Sequence, residues 1–388
     1  MKYERYCFIG LVCILGYVGQ SQATDPNWAN MDNTLHSQYQ AVDVTGMGTF
    51  SVNDPIKMQG VILHWAENML DPTPGSNPFM GGQWQRFVQA VDLPETTEDD
   101  NDFGGTACWM GQNIGKIMGT HPIGSYTDEQ WLAELDRLTH DPVTERWFRP
   151  GDLVEIRARA PGLFYGGKTN INEQHIDDPG FDFDIVLLQA DYGLPTPTVI
   201  SLSDIKNASD SFIFDATRVT GAEHYQGTAI QIDNISFVST AGWGINGDLT
   251  IQDTTGRTLP VKLGLGSGFQ QFTPPTGTFS IRGIFDQEDA DGSNGWTSGY
   301  RLWAMEYDGS DFLLVRFAAA DFDQDGDVDP MDLAHFESCA SGPAVPQTDP
   351  NCFDADLDQD SDVDVSDFGI FQRCISGEDK LANPACSG

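Results

Sequence analysis

Positive charge is scarce in this chain. Its 388 residues hold 20 Lys+Arg against 58 Asp+Glu, a formal net charge of -38. Nucleic-acid binding needs basic side chains that displace phosphate counterions, so this balance argues against nucleic acid as a partner. It argues equally against docking on anionic lipid. Long apolar runs are also missing, apart from one near the start. That run, from Cys7 to Val18, follows Lys2 and Arg5 and precedes Ser21-Gln22-Ala23. This pattern reads as a secretory signal over residues 1–23, cleaved after Ala23. Val12, where lipoprotein processing at Cys13 wants Gly or Ala, speaks against lipidation. No other stretch is long enough to span a bilayer, so no membrane insertion is expected of the mature chain.

Catalytic signatures are absent too. The chain has no H-E-x-x-H, no G-x-S-x-G and no catalytic-cysteine pattern. A glycosidase needs only two carboxylates, so this absence leaves an enzyme open. Gly162 to Thr169 fits G-x-x-x-x-G-K-T. A phosphate loop must open a helix, and no amphipathic pattern follows here, so a Gly-rich bend between strands is expected. Cysteine is rare between the signal and residue 339, where only Cys108 occurs. Its neighbours Ala107 and Trp109 suggest a buried, inert thiol. Cys339, Cys352, Cys374 and Cys386 crowd into the last 70 residues, at spacings of 13 and 12 within the outer pairs. In an oxidising compartment they are disulfide candidates, with the connectivity open.

That tail is rich in one thing. From Ala319 onward, 15 Asp and 2 Glu face only Arg373 and Lys380, a net -15 that leaves -23 for the rest. The carboxylates are phased. Asp321–Gly342 and Asp356–Gly377 align with 12 identities in 22 positions at a period of 35. Asp321, Asp323, Asp325, Asp327 and Asp332 fall at loop positions 1, 3, 5, 7 and 12. Asp356, Asp358, Asp360, Asp362 and Asp367 repeat them. Ca²⁺ is a hard cation that takes six to eight oxygens, and alternate residues of a tight loop point inward, so two bound Ca²⁺ are expected. Gly326 suits the sharp turn at position 6, where the second copy has Ser361. Val328 and Val363 hold the apolar position 8. Leu333 with Phe336, and Phe368 with Phe371, give each following helix an inward face. A merely solvated acidic tail would need none of these features. Unscreened carboxylates repel, so the module is expected to fold only with metal.

This region resembles a type I dockerin, with two Asp-rich calcium loops each followed by one helix. The resemblance covers about 65 residues. It implies the ten aspartates above as the calcium-loop set, a cohesin-like or surface scaffold protein as partner, and attachment of a secreted protein to that scaffold. The chain departs from the family at the positions that help choose the cohesin, Pro330-Met331 and Val365-Ser366. The four cysteines are also additional to the family pattern.

The preceding residues read as mainly β. Residues 24–50 form a strap. Residues 51–198 place three strand candidates, a helix opening at Asp128 with Trp131, Leu132, Leu135 and Leu138 on one face, then two strands from Leu153 and Phe183. That order resembles an OB-fold β-barrel. Residues 199–318 repeat the plan with strands at Thr228–Val238, Leu249–Asp253, Leu259–Leu263, Phe279–Phe285 and Gly299–Tyr307, without a helix in the Gly/Pro-rich stretch 264–277. The expected architecture is two tandem OB-like barrels plus the calcium module at 319–388, with a β-sandwich as the alternative for the second unit. Lys168, Asn170, Asn172, Glu173 and His175 form a candidate ligand loop, with irregular capped backbone as the competing reading. Asp286, Glu288, Asp289 and Asp291 form an acidic loop, a weaker calcium candidate than a solvated surface. Trp84, Trp109, Trp131, Trp147, Trp243 and Trp303 could stack on sugar rings but suit a core better. The functional expectation is a secreted, non-catalytic protein whose docking module presents a ligand- or carbohydrate-binding β body. The alternative is a secreted polysaccharide hydrolase anchored the same way.

Overall fold

A computed structural model describes residues 25–75, 82–91, 102–112, 126–159, 162–173, 182–293 and 295–387. The expected signal segment and His175 lie outside them. The first unit contains β1 (Ile56–Ile62), β2 (Gln83–Gln89), β3 (Gly105–Gly111), α1 (Asp128–Thr139), β4 (Leu153–Ala158), β5 (Gly162–Tyr165), β6 (Lys168–Glu173) and β7 (Phe183–Gln189). Its seven strands run in the order β5-β6-β3-β2-β1-β4-β7. All pairs are antiparallel except β3 with β6.

Helix α1 begins where its sequence allows. Thr127 accepts from the Gln130 amide and Gln130 returns the bond to Thr127, which satisfies two orphan donors of the first turn. Trp131 and Leu138 are buried and Leu135 partly so, against Met58, Trp84 and Ile156. Leu132, expected on that face, is 54% exposed. One residue on from Trp131 turns about 100° away from the i, i+4, i+7 stripe.

The sequence reading missed a hairpin. The expected Gly-rich bend is the tip of that hairpin, but 168–173, expected as a ligand loop, form strand β6 paired with β5, with Phe164 opposite Thr169 and Tyr165 opposite Lys168. Gly166 and Gly167 make the two-residue turn, both at positive φ, as such a hairpin connection requires. Lys168 and Thr169, which would open the helix of a phosphate loop, instead lie on β6.

The second unit contains β8 (Thr198–Ile200), β9 (Ala229–Ser239), β10 (Asp248–Gln252), β11 (Thr258–Leu263), β12 (Phe279–Gln287) and β13 (Tyr300–Ala304). Pairing runs β9-β10-β11-β13-β12 and returns to β9, which closes a five-stranded barrel, with β8 added along β9. Only β11–β13 within the ring is parallel. The 11 residues of β9 let it pair with β12 and, at its far end, with β10. Ile230, Ile232, Ile251, Leu259, Phe285 and Leu302 fill the interior. Stretch 264–277 is not all loop: Gly268–Gln271 makes a helical turn that places Phe269 in this core. The expected last strand is split, with β14 (Glu306–Tyr307) and β15 (Phe312–Leu313) forming a separate hairpin.

The two units share a core. Leu63, Trp65, Phe87 and Ala107 of the first pack with Ala229, Ile284, Trp303 and Met305 of the second. Backbones nearly touch at Gly105 and Gly227, where a Cβ on Gly227 would lie 2.4 Å from the Gly105 carbonyl oxygen. Lys168 reaches across to Asp286 at 2.5 Å. Trp84, Trp131 and Trp303 are buried in cores, so they have no face free for a sugar.

The C-terminal module has two helices, α2 (Pro330–Cys339) and α3 (Val365–Cys374). Phe336 and Phe371 are buried between them, with Leu333 and Phe368 packed alongside. Disulfides join Cys339 to Cys352 and Cys374 to Cys386. Each ties a helix end to the segment after it, and a loop this short contributes about 3 kcal/mol in the chain-entropy model.

Candidate metal centre

Each acidic loop is shaped by its own carboxylates. Asp321 Oδ1 accepts the Asp325 amide at 3.1 Å and its Oδ2 accepts the Gly326 amide at 2.9 Å. Asp356 accepts from Asp360 and Ser361 at the same two distances. Asp332 takes the amides of Phe322 and Asp329, and Asp367 takes those of Leu357 and Asp364. Asp329 and Asp364 cap the following helices, and each capping box is closed by the position-12 aspartate. One residue thus ends the loop and starts the helix.

The halves also exchange contacts. Val328 and Val363 are fully buried. The Val328 carbonyl accepts the amides of Ser376 and Gly377, after α3. The Val363 carbonyl accepts those of Ser341 and Gly342, after α2. The identical Ser-Gly pairs of the repeat are therefore the seats for the partner half's valine. Position 6 needs a left-handed backbone in both loops, φ 98° at Gly326 and 81° at Ser361. Glycine adopts it freely, whereas serine is strained there.

These contacts gather oxygens. Asp321, Asp323 and Asp325 bring one carboxylate oxygen each within 4.8 Å of one another, as do Asp327, Asp329 and Asp332. In the second loop the groups are Asp356, Asp358, Asp367 and Asp362, Asp364, Asp367. Asp360 falls in neither, although its Oδ1 accepts the Asp362 amide at 3.1 Å. Burial, then Asp332 and the other neighbouring carboxylates, pushes Asp321 up to about 8. Asp323 and Asp327 rise to about 6, burial again leading and Asp325 next. Asp332, Asp358 and Asp362 move upward as well. Carboxylates this reluctant to ionise together suit a cation placed among them. An all-oxygen donor set can hold a metal ion, and it fits a hard one best.

In the candidate ligand loop of the first unit, the described residues belong to a strand. Lys168, Asn170 and Asn172 lie buried on β6, and Glu173 ends that strand. Gln40 and Tyr39 take up the backbone carbonyls of Thr169 and Asn170. The acidic stretch near Asp286 is likewise committed. Asp286 is on β12, fully buried, with Lys168, Arg301 and the Trp303 indole around it. Burial alone would raise its pKa, but the two cations outweigh it and hold the carboxylate below its usual range. Glu288 pairs with Arg301, and Asp289 accepts from Ser298. Among the described residues, the grouped metal-ligating side chains all belong to the C-terminal module. Cys108 is buried and its thiol is pushed up to about 12, chiefly by burial, so it is inert as expected.

The sequence reading passes over Arg149. Its guanidinium is buried and meets Asp325 at 2.7 Å, Asp327 at 2.8 Å and Asp379 at 3.3 Å. Nothing in the local sequence marks it, because its partners lie more than 170 residues away.

Comparison with protein-family models and with curated proteins finds no match. Among the described residues no helix is long and apolar enough to cross a membrane.

Proposed function

We propose that this is a secreted calcium-binding protein in which a dockerin-like module attaches a non-catalytic, ligand- or carbohydrate-binding β body to a scaffold or surface. One observation carries the reading. The two loops repeat the same amide-to-carboxylate bonds at positions 1 and 12, and each valine at position 8 is seated by the opposite half. A duplicated loop–helix unit with that exchange is the arrangement a dockerin-type calcium module needs, and hard oxygen donors favour Ca²⁺ over softer-ligand metals.

The strand order of the second barrel supports an OB-like reading. Five strands close with a single parallel pair between the third and fifth. The first unit matches it in the order three strands, helix, two further strands, with the β5–β6 hairpin inserted. Two disulfides suit an oxidising compartment. Two assays on the full chain test the proposal: capture by a panel of cohesin modules with Ca²⁺ and with chelator, and sugar release from polysaccharides. Calcium-dependent capture without sugar release is expected. Sugar release abolished by a single carboxylate substitution in the body would replace the binding role with a hydrolase.

A further inference from the structure

The duplicated loops are alike in shape but not in surroundings. The first is pressed against the body. Gly326 abuts the Trp65 ring, and Arg149 reaches from the turn before β4 to Asp325 and Asp327. That turn is itself fixed to the first sheet, with the Gly151 amide on the Ile62 carbonyl and the Arg149 amide on Asp152. Asp379, after α3, joins the same guanidinium and donates its amide to Asp327 at 2.6 Å. In the second loop no Lys or Arg among the described residues pairs with Asp356, Asp358, Asp360, Asp362 or Asp367, whereas the first loop has Arg149.

We infer that Arg149 is a built-in competitor for the first calcium site, so that metal binding at that loop and docking of the module on the body oppose each other. This rests on the calcium reading above. The sign follows from comparing the loops. The second keeps the same backbone geometry without a guanidinium, so Arg149 is not needed to shape the first. What it adds is charge, which neutralises Asp325 and Asp327 and repels an incoming divalent cation. By linkage, whatever factor Arg149 takes from calcium affinity, calcium takes from the latch. The first loop then acts as a calcium-responsive contact within the chain. The second is left to bind metal independently.

Isothermal titration of the full chain with CaCl₂ tests this, with D356N/D358N used to silence the second loop. In that background R149Q is expected to raise the remaining affinity about tenfold, while R149K, which keeps the charge, stays near the wild-type arginine. With the second loop intact, its own affinity is expected to be unchanged by R149Q, which also shows that the variant module is folded. A second readout needs no variant: amide exchange across residues 147–152 should speed up when Ca²⁺ is added. Unchanged first-loop affinity in R149Q, a fall in it, or slower exchange with Ca²⁺ would overturn the competition. Absence of calcium binding in every form would instead overturn the calcium reading itself.

Discussion

Replacing Lys168 by Met removes the cation that holds Asp286 inside the interface between the two β units. The pair is 2.5 Å long, with both partners buried. Losing one partner of a buried ion pair costs about 3–5 kcal/mol, because the other charge stays desolvated. Here the low end applies. Arg301 remains 3.3 Å from Asp286, and the Trp303 indole still donates to it at 3.1 Å. K168M should therefore lose about 3 kcal/mol, a fall of roughly 6–12 °C in melting temperature for units of this size. The double variant K168M/D286L replaces both charges with apolar groups and should recover most of that loss. Urea unfolding followed by tryptophan fluorescence reads both variants. A loss below about 1 kcal/mol in K168M, or a double variant no better than the single one, would refute the assignment of a buried, mutually dependent pair.

Three further outcomes are expected. S361G relieves a non-glycine residue at φ 81° and should stabilise the module by about 1 kcal/mol, seen as a higher melting midpoint and tighter calcium binding by the second loop. Glu223 and Glu306 are both raised to about 7, burial being the main cause. Each binds its proton more tightly folded than unfolded, so their contribution to stability is present below about pH 4.5 and is lost as the pH rises to about 7; denaturation midpoints across that range check it through E223Q and E306Q, which should flatten the slope. C374S/C386S opens a disulfide with a separation of 12 residues and should cost about 3 kcal/mol, loosening the end of α3 in amide exchange while the β units keep their protection.

Legibility in the sequence followed the range of the interactions. The C-terminal loop–helix repeat was readable because its determinants are local and duplicated. A position-1 or position-12 aspartate bonds amides within about ten residues, and each helix cap lies in the same loop. Strands of the closed barrel were readable where Ile230, Ile232 and Ile251 alternate with Gln231, Asp233, Thr250 and Gln252. The β5–β6 hairpin was hidden because Lys168, Thr169, Asn170 and Asn172 are polar yet buried. What makes that burial tolerable is supplied from afar, by Asp286 for Lys168 and by Gln40 for the Thr169 backbone. Leu132 departs from its expected place because neighbours in sequence lie about 100° apart around a helix. Arg149 could not be found at all without the fold, since its partners belong to another module. The acidic surplus divides accordingly: the C-terminal part is largely organised into oxygen clusters, while Asp286 in the body is spent on an internal ion pair.

We propose that the duplicated loops hold calcium, one ion each. The direct measurement is the number of Ca²⁺ ions bound per full-length chain at equilibrium, set beside the same count for D321N/D356N. The account predicts about two for the native chain and a marked loss of both in the variant, since each substitution removes a carboxylate that orders its loop and supplies an oxygen. A native chain that binds no Ca²⁺ at millimolar concentration, or a variant that binds as well as the native chain, would contradict it.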